Sequence, residues 1–453
     1  MRHSTDCKFR IKLPPMLIVL LGFLLVMFVG AFFMALPISN TDNKWMSFTD
    51  AVFWATNGVC GTGLVLKSTA LELTGFGQAV LFILVQFGGL GFMTFATFIF
   101  LLIGKRITLK DRIAIQESLG ADQMKGVVRL VRNIAIMTGI IEGAGALLLI
   151  PFFCVKNGAI GVWQAVFNSV SAFCNAGFDV MGRVGNEFGS LSDYNGSFGI
   201  LGIISILSIL GAFGFPVLND MVKCKFRVRK YQLHTKIVLV VQLALMVFGT
   251  FYFLASEFNS PAMYGMSGGK KLLNSMFQSV MASSTAGFSS ISQNDMSSAG
   301  KLFTCVMMFI GASPCSTGGG IKTSTFALLV LMMISGVRGK DEVVVGKRSI
   351  SYKTGLRAVA VVAMATAGVA IGVAIMTATD PAVATTTDLF ECITAFTTTG
   401  LSMGTAPVYS PAALYILIVL MIVGRLGPLS IGMIFVKRDT STLKYPNGNI
   451  MIG

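Results

Sequence analysis

Apolar residues run in eight long blocks along the chain, near 16–38, 76–103, 133–155, 198–218, 236–255, 302–336, 358–378 and 412–436. A helix needs about 20 apolar residues to cross a hydrocarbon layer ~30 Å thick, so each block is read as a membrane crossing. The segments between them alternate in kind. After every second block comes a basic one: 105–132, 223–236 and 338–357. With Arg2, Lys8, Arg10 and Lys12 before the first block and Lys437, Arg438 and Lys444 after the last, these hold 26 of the 35 lysines and arginines. Positive charge gathers on the cytoplasmic side of membrane proteins, which places both termini and the basic segments there. The first block is longer than the apolar core of a secretion signal and leads into a second apolar block, so it is read as a crossing and not a leader.

The segments on the other face repeat one another. FTDAVFWATNGVCGTGLVL (48–66), VWQAVFNSVSAFCNAGFDV (162–180), LLNSMFQSVMASSTAGFSS (272–290) and TTDLFECITAFTTTGLSMG (386–404) superimpose without gaps. Each has a phenylalanine (Phe53, Phe167, Phe277, Phe390) ten positions before a glycine (Gly63, Gly177, Gly287, Gly400), in an amphipathic stretch that ends in a turn of small residues. A repeat at that spacing covers the whole chain. The expected organisation is a cytoplasmic N-terminus (1–15), repeat 1 (16–104), repeat 2 with its preceding cytoplasmic linker (105–220), repeat 3 with an interrupted second helix (221–338), repeat 4 (339–437) and a cytoplasmic C-terminus (438–453). The fold class that follows is an all-α integral membrane protein with four pseudo-repeated units of helix, half-helix, turn and helix around a single pore.

Composition fits that reading and removes others. The 453 residues are 54% hydrophobic and 12% charged, with mean hydropathy +0.76, against about a quarter charged in globular proteins. The net charge of +15 is accounted for by topology, so a nucleic-acid partner is not expected. Only His3 and His234 are present, and the eight cysteines show no metal-ligand spacing. Neither a zinc site, a disulfide framework nor an enzyme is expected.

Irregular backbone at membrane depth survives only when buried in protein or lining a wet cavity. Four half-helices dipping in from one face, each followed by a glycine turn, would bring backbone carbonyls together, and such rings replace the hydration shell of a monovalent cation. The half-helices would also aim their negative C-terminal ends at the centre. The candidate filter is Cys60, Gly61, Thr62 and Gly63; Asn175, Ala176 and Gly177; Thr285, Ala286 and Gly287; and Thr398, Thr399 and Gly400, with potassium as the ion and substrate.

In these residues the chain resembles the superfamily of bacterial potassium uptake subunits and their plant relatives (Trk, Ktr and HKT). The short stretch before the first repeat is most similar to the KtrB branch. The resemblance implies potassium uptake with sodium as activator and no bound cofactor, a homodimer in the cell membrane amid lipid, and a cytosolic nucleotide-binding RCK ring of the KtrA type docking on the basic loops.

The sixth block is too long for one crossing: its 35 residues would make a helix of about 52 Å. Its middle, GASPCSTGGGIKTST (311–325), contains Pro314 and Gly318, Gly319 and Gly320, all helix breakers. It is read as a re-entrant loop below the filter, the gate in the family it resembles, with Gly311, Ser316, Thr317, Gly318, Gly319, Gly320 and Lys322 as gate residues. Arg425 sits mid-block, where an arginine costs about 2.5–3.5 kcal/mol or more. It is either a structural partner of Glu142 or of loop carbonyls, or a cation facing the pore. Glu142 is assigned to bonding between helices. The main rival is a secondary transporter of another small solute, which would place a pair of broken crossings at corresponding positions in two halves.

Overall fold

The computed structural model describes residues 15–91, 127–182, 189–225, 227–339, 343–345, 348–428 and 432. The first described unit contains α1 (Pro15–Ala35), α2 (Phe48–Cys60) and α3 (Gly75–Leu90). The second contains α4 (Val127–Asn157), α5 (Ile160–Phe173), α6 (Phe198–Phe213) and α7 (Phe215–Lys223), and the third α8 (Leu233–Glu257), α9 (Gly268–Ser284), α10 (Ser298–Phe309) and α11 (Thr323–Val337). A small antiparallel hairpin, β1 (Val343–Val345) and β2 (Arg348–Ile350), leads to α12 (Tyr352–Thr379), α13 (Thr385–Thr397) and α14 (Pro411–Leu426).

The outer helices are apolar on every side, which suits protein on one face and lipid on the other. Along α1, Val19, Phe23, Met27, Ala31 and Met34 are buried at helical spacing, while Leu21, Leu25, Phe28 and Phe32 are exposed. By length and composition α4, α8 and α12 can each cross a membrane, and the bent pair α6–α7 can supply a fourth span; α1, α3, α10, α11 and α14 are shorter apolar helices.

The short helices α2, α5, α9 and α13 are not the amphipathic stretches their sequences suggest. Beyond their first turns they are mostly buried, and Phe53, Phe167, Phe277 and Phe390 are at most 1% exposed. Their surroundings explain this, because each packs on the helix before it and also on the previous unit. Thus α3 packs on α5, α6 on α9, α10 on α13, and α14 back on α2, which closes the units into a circle in chain order.

Two expectations about the crossings need correction. The block 198–218 is not one helix: α6 and α7 meet at 96°, because Gly214 adopts φ +81 and Pro216 stands in the first turn of the new helix. The blocks 76–103 and 412–436 are also shorter as helices, since α3 stops at Gly91 (φ +79) and α14 at Gly427 (φ +85). The rest of 76–103, and of 412–436 apart from Pro428 and Gly432, lies outside the described residues, as do the basic residues 105–112 and both termini. The sixth block is broken as expected, between Phe309 and Thr323.

Candidate functional site

Each short helix ends in a three-residue strip with the same backbone signature. The first and third positions have positive φ: Gly61 and Gly63, Asn175 and Gly177, Thr285 and Gly287, Thr398 and Gly400. Glycine and asparagine accept that conformation readily, but a β-branched residue there is an outlier, costing about 1–2 kcal/mol. Thr285 and Thr398 nevertheless hold it at φ 54 and 48, and strain of this kind persists only where the surroundings enforce it. Cys60, grouped with the strips in the sequence, is the last residue of α2 and is fully buried.

The four strips meet in a closed ring. A Cβ added to Gly63 would lie 2.4 Å from the Ala176 carbonyl oxygen, and one on Gly177 would lie 2.9 Å from that of Ala286. The same atom on Gly287 would lie 2.1 Å from Thr399 O, and on Gly400 2.0 Å from Thr62 O. Every glycine is therefore pressed against the middle carbonyl of the next strip, in the order 63, 177, 287, 400 and back to 63. Nothing larger than a hydrogen fits on these Cα atoms. The ring glycines form the floor of a cavity of about 410 Å³, whose walls include Asp179, Ser190, Gln293 and Ser402. Thr62 Oγ1, Thr398 Oγ1 and both side-chain polar atoms of Asn175 are buried in the strips without a hydrogen-bond partner. Oxygen-rich, uncharged and fed by four helix C-termini, the ring suits a cation. Among the described residues no cluster of His, Cys, Asp and Glu could hold a metal by side chains.

On the other side of the ring lies the 310–322 loop. A Cβ on Gly318 would meet Thr285 Oγ1 and Ser284 O, and one on Gly319 would meet Thr397 O and Thr398 Oγ1. Gly319 N donates to Thr285 Oγ1 (3.0 Å), and Thr317 Oγ1 donates to Phe173 O (2.9 Å). Gly311 sits equally tightly against Gly319 and Gly320. Inside the loop, Ser316 Oγ (3.3 Å) and Lys322 Nζ (2.8 Å) both donate to Gly318 O. The loop is thus packed against the strips.

Its other anchor is the corner in the second unit. The end of α6 leaves carbonyls with no partner in their own helix, and the loop caps them. Ser313 N donates to Ala212 O (3.0 Å), Thr317 N to Gly211 O (3.3 Å), and Ser313 Oγ to Phe213 O. In return Phe215 N donates to Cys315 O (3.1 Å). Arg425 adds a third anchor, donating to Thr317 O in the loop and to Gly88 O in the last turn of α3. Its charge thus meets loop carbonyls and a negative helix end. Glu142 is not its partner: that carboxylate accepts from Gln86 Nε2 (2.7 Å) and Cys174 Sγ (3.6 Å), between helices as expected.

One motif went unread in the sequence. GGLG (88–91), GAFG (211–214) and GRLG (424–427) occupy equivalent places in three units. The first glycine lets the helix pack on a carbonyl four residues before the ring glycine: a Cβ would be 2.1 Å from Val59 O, 2.0 Å from Phe173 O and 1.7 Å from Phe396 O. The last glycine ends the helix. A search for repeats outside the short-helix segments would have found the pattern.

Comparison with known proteins bears on this geometry. The crystal structure of the potassium transporter TrkH from Vibrio parahaemolyticus has a similar fold, with TM-score 0.75 at 19% identity, covering 96% of this chain and 87% of that one. The chain is 36% identical over 445 residues to Ktr system potassium uptake protein B of Bacillus subtilis (strain 168), covering 98% of each. It is 34% identical over 451 residues, again 98% of each, to the potassium/sodium uptake protein NtpJ of Enterococcus hirae. The family model for TrkH, cation transport protein, matches residues 25–444, and on a match of that extent the chain belongs to the TrkH family of cation transport proteins.

Proposed function

We propose that this chain is the membrane subunit of a potassium uptake system, and that potassium passes through the ring formed by the four strips. The observation that carries the reading is the ring itself, with four glycines each against the middle carbonyl of its neighbour. A cation entering from the cavity would exchange water for the carbonyls of Thr62, Ala176, Ala286 and Thr399. On this reading the filter comprises Cys60 to Gly63, Asn175 to Gly177, Thr285 to Gly287 and Thr398 to Gly400, and the fold is a four-repeat pore in the cell membrane with both termini cytoplasmic. The breaks in the helices support it over a two-halved transporter, because they recur around the circle and not in one pair.

The 311–322 loop is the gate. Lying beneath the strips and fastened at the α6–α7 corner, at Thr285 and at Arg425, it closes the path on the side opposite the cavity. The reading extends to activation of uptake by sodium, a homodimer, and a nucleotide-binding ring of the RCK type that controls the loop from the cytosol; the relatives' descriptions support only a subunit of a larger Ktr system and a link to sodium.

The deciding experiment is ion flux in proteoliposomes with potassium, rubidium, sodium and lithium compared side by side. Flux that favours potassium and rubidium is expected; equal flux of all four ions would overturn the assignment. Regulation is tested by co-purifying a neighbouring RCK subunit at low and high salt, since binding through basic loops weakens with salt. Flux of that complex is then compared with ATP and ADP, and indifference to the nucleotide would refute the regulatory part alone.

A further inference from the structure

The four units are not equal behind the ring. Nine positions before the ring glycine stand Trp54, Asn168, Gln278 and Glu391, all on the buried short helices. Trp54 stacks on Phe178 of the next unit, with ring centroids 6.0 Å apart, and Gln278 pairs with Gln293 by two reciprocal hydrogen bonds of 2.8 and 3.0 Å between their side-chain amides. Only the fourth unit places a carboxylate here, and Glu391 is fully buried.

Its contacts go to the chain that leaves the ring. Oε1 of Glu391 accepts from Ser402 Oγ (2.7 Å), Met403 N (2.9 Å) and Thr405 Oγ1 (3.2 Å). One turn along α13, Thr394 Oγ1 donates to Leu401 O (2.7 Å). Residues 401–405 are thus pinned to the rear of α13 immediately after Gly400, and Leu401, Ser402, Met403 and Gly404 line the cavity. The second oxygen, Oε2, is buried with no hydrogen-bond partner. Keeping a half-satisfied carboxylate in the protein interior is expensive, and a neutral pair of the Gln278–Gln293 kind would close the same loop at lower cost. What the carboxylate adds is three donors drawn onto one atom.

We propose that Glu391 is a specificity-determining positioning residue. It fixes the exit of the fourth strip, so that Gly400 and the carbonyl of Thr399 against Gly287 keep the spacing that separates potassium from sodium. The proposal rests on the ring being the ion path. Glu391 acts through Ser402, Met403 and Thr405, without touching the ion.

The test uses the full chain in proteoliposomes, measuring potassium and sodium flux for wild type, Glu391→Ala, Glu391→Gln and the double variant Ser402→Ala/Thr405→Val. Gly400→Ala serves as a marker of the ring itself. Losing charge-assisted bonds to a buried carboxylate should lower the potassium-to-sodium ratio about tenfold in Glu391→Ala. Glu391→Gln keeps an acceptor oxygen and should lose less. The double variant removes two donors from half-buried positions and leaves the carboxylate in place, so it carries the test if Glu391→Ala fails to fold. A purely structural Glu391 would lower folded yield and melting temperature with the ratio unchanged. Folded Glu391 variants and a double variant with the wild-type ratio, while Gly400→Ala lowers it, would overturn the inference. A Gly400→Ala ratio equal to wild type would instead overturn the ring as ion path, and the inference with it.

Discussion

The ring geometry predicts a graded response to the smallest possible change, one methyl group at each glycine in turn. Carbon and carbonyl oxygen in close non-bonded contact sit about 3.3–3.6 Å apart. A Cβ would begin 2.0 Å from its carbonyl at Gly400, 2.1 Å at Gly287, 2.4 Å at Gly63 and 2.9 Å at Gly177. The neighbouring carbonyl must therefore retreat by roughly 1.2–1.6 Å in the first two variants, about 1 Å in the third and about half that in the fourth. All four also carry the ~1–2 kcal/mol cost of a side chain at positive φ. A misplacement near 1 Å in a preorganised site can cost on the order of 100-fold. The potassium-to-sodium flux ratio should therefore collapse in Gly400→Ala and Gly287→Ala, fall clearly in Gly63→Ala, and fall least in Gly177→Ala. Flux is measured in proteoliposomes with the amount of folded protein set by size-exclusion chromatography. Wild-type ratios in all four, or Gly177→Ala the worst, would refute the claim that these carbonyl contacts set selectivity.

Three further outcomes follow from the same contacts. Arg425→Ala removes the link between Thr317 O and Gly88 O and should raise basal potassium flux, whereas a lower melting temperature with unchanged flux would make the arginine structural only. Gly214→Ala would bring a Cβ to 2.6 Å from Pro314 O and 2.7 Å from Ser313 Oγ; by lifting the loop off the α6 carbonyls it should also raise flux, and normal flux from folded protein would show that the corner does not hold the gate. Glu142→Ala removes the acceptor of Gln86 Nε2 and should cost about 1–3 kcal/mol of stability, read as a drop in melting temperature, while the ion ratio stays at the wild-type value.

How much of this could be read from residues alone differs by feature. The register of Phe53, Phe167, Phe277 and Phe390 with the four glycines was legible because packing needs a bulky residue and the strip a missing side chain at fixed helical spacing, in every copy. The break after Phe309 was legible because Pro314 and three glycines crowd one segment. The 96° corner was not, since a single glycine and one proline in an apolar run are tolerated within crossings, and only the packing of the third unit against α6 shows that its end is capped from outside. Glu391 was also passed over: a carboxylate in a loop-facing stretch looks solvated until the helix is found buried beyond its first turn.

The positions that escaped the sequence share a physical cause and link the ring to the loop. Gly211 accepts from Thr317 N, Ala212 from Ser313 N, and Gly88 from both Arg425 and Gly91 N; all three acceptors lie in the last turn of helices that stop early. A helix running through would satisfy those groups within itself and leave the loop no partner. The early stops therefore do two things at once. They open space beneath the strips, and they create acceptors that hold a loop in that space by bonds worth only about 0.5–1.5 kcal/mol each. A loop held by several weak, separable bonds can be released by a modest displacement of α6 or of Arg425, without unfolding any helix or disturbing the glycine contacts above it. Selectivity and gating would then reside in different sets of carbonyls, the first belonging to the strips and the second to the helix ends. Gly400→Ala should accordingly change the ion ratio with the loop still closed, and Gly214→Ala should change the flux with the ratio intact.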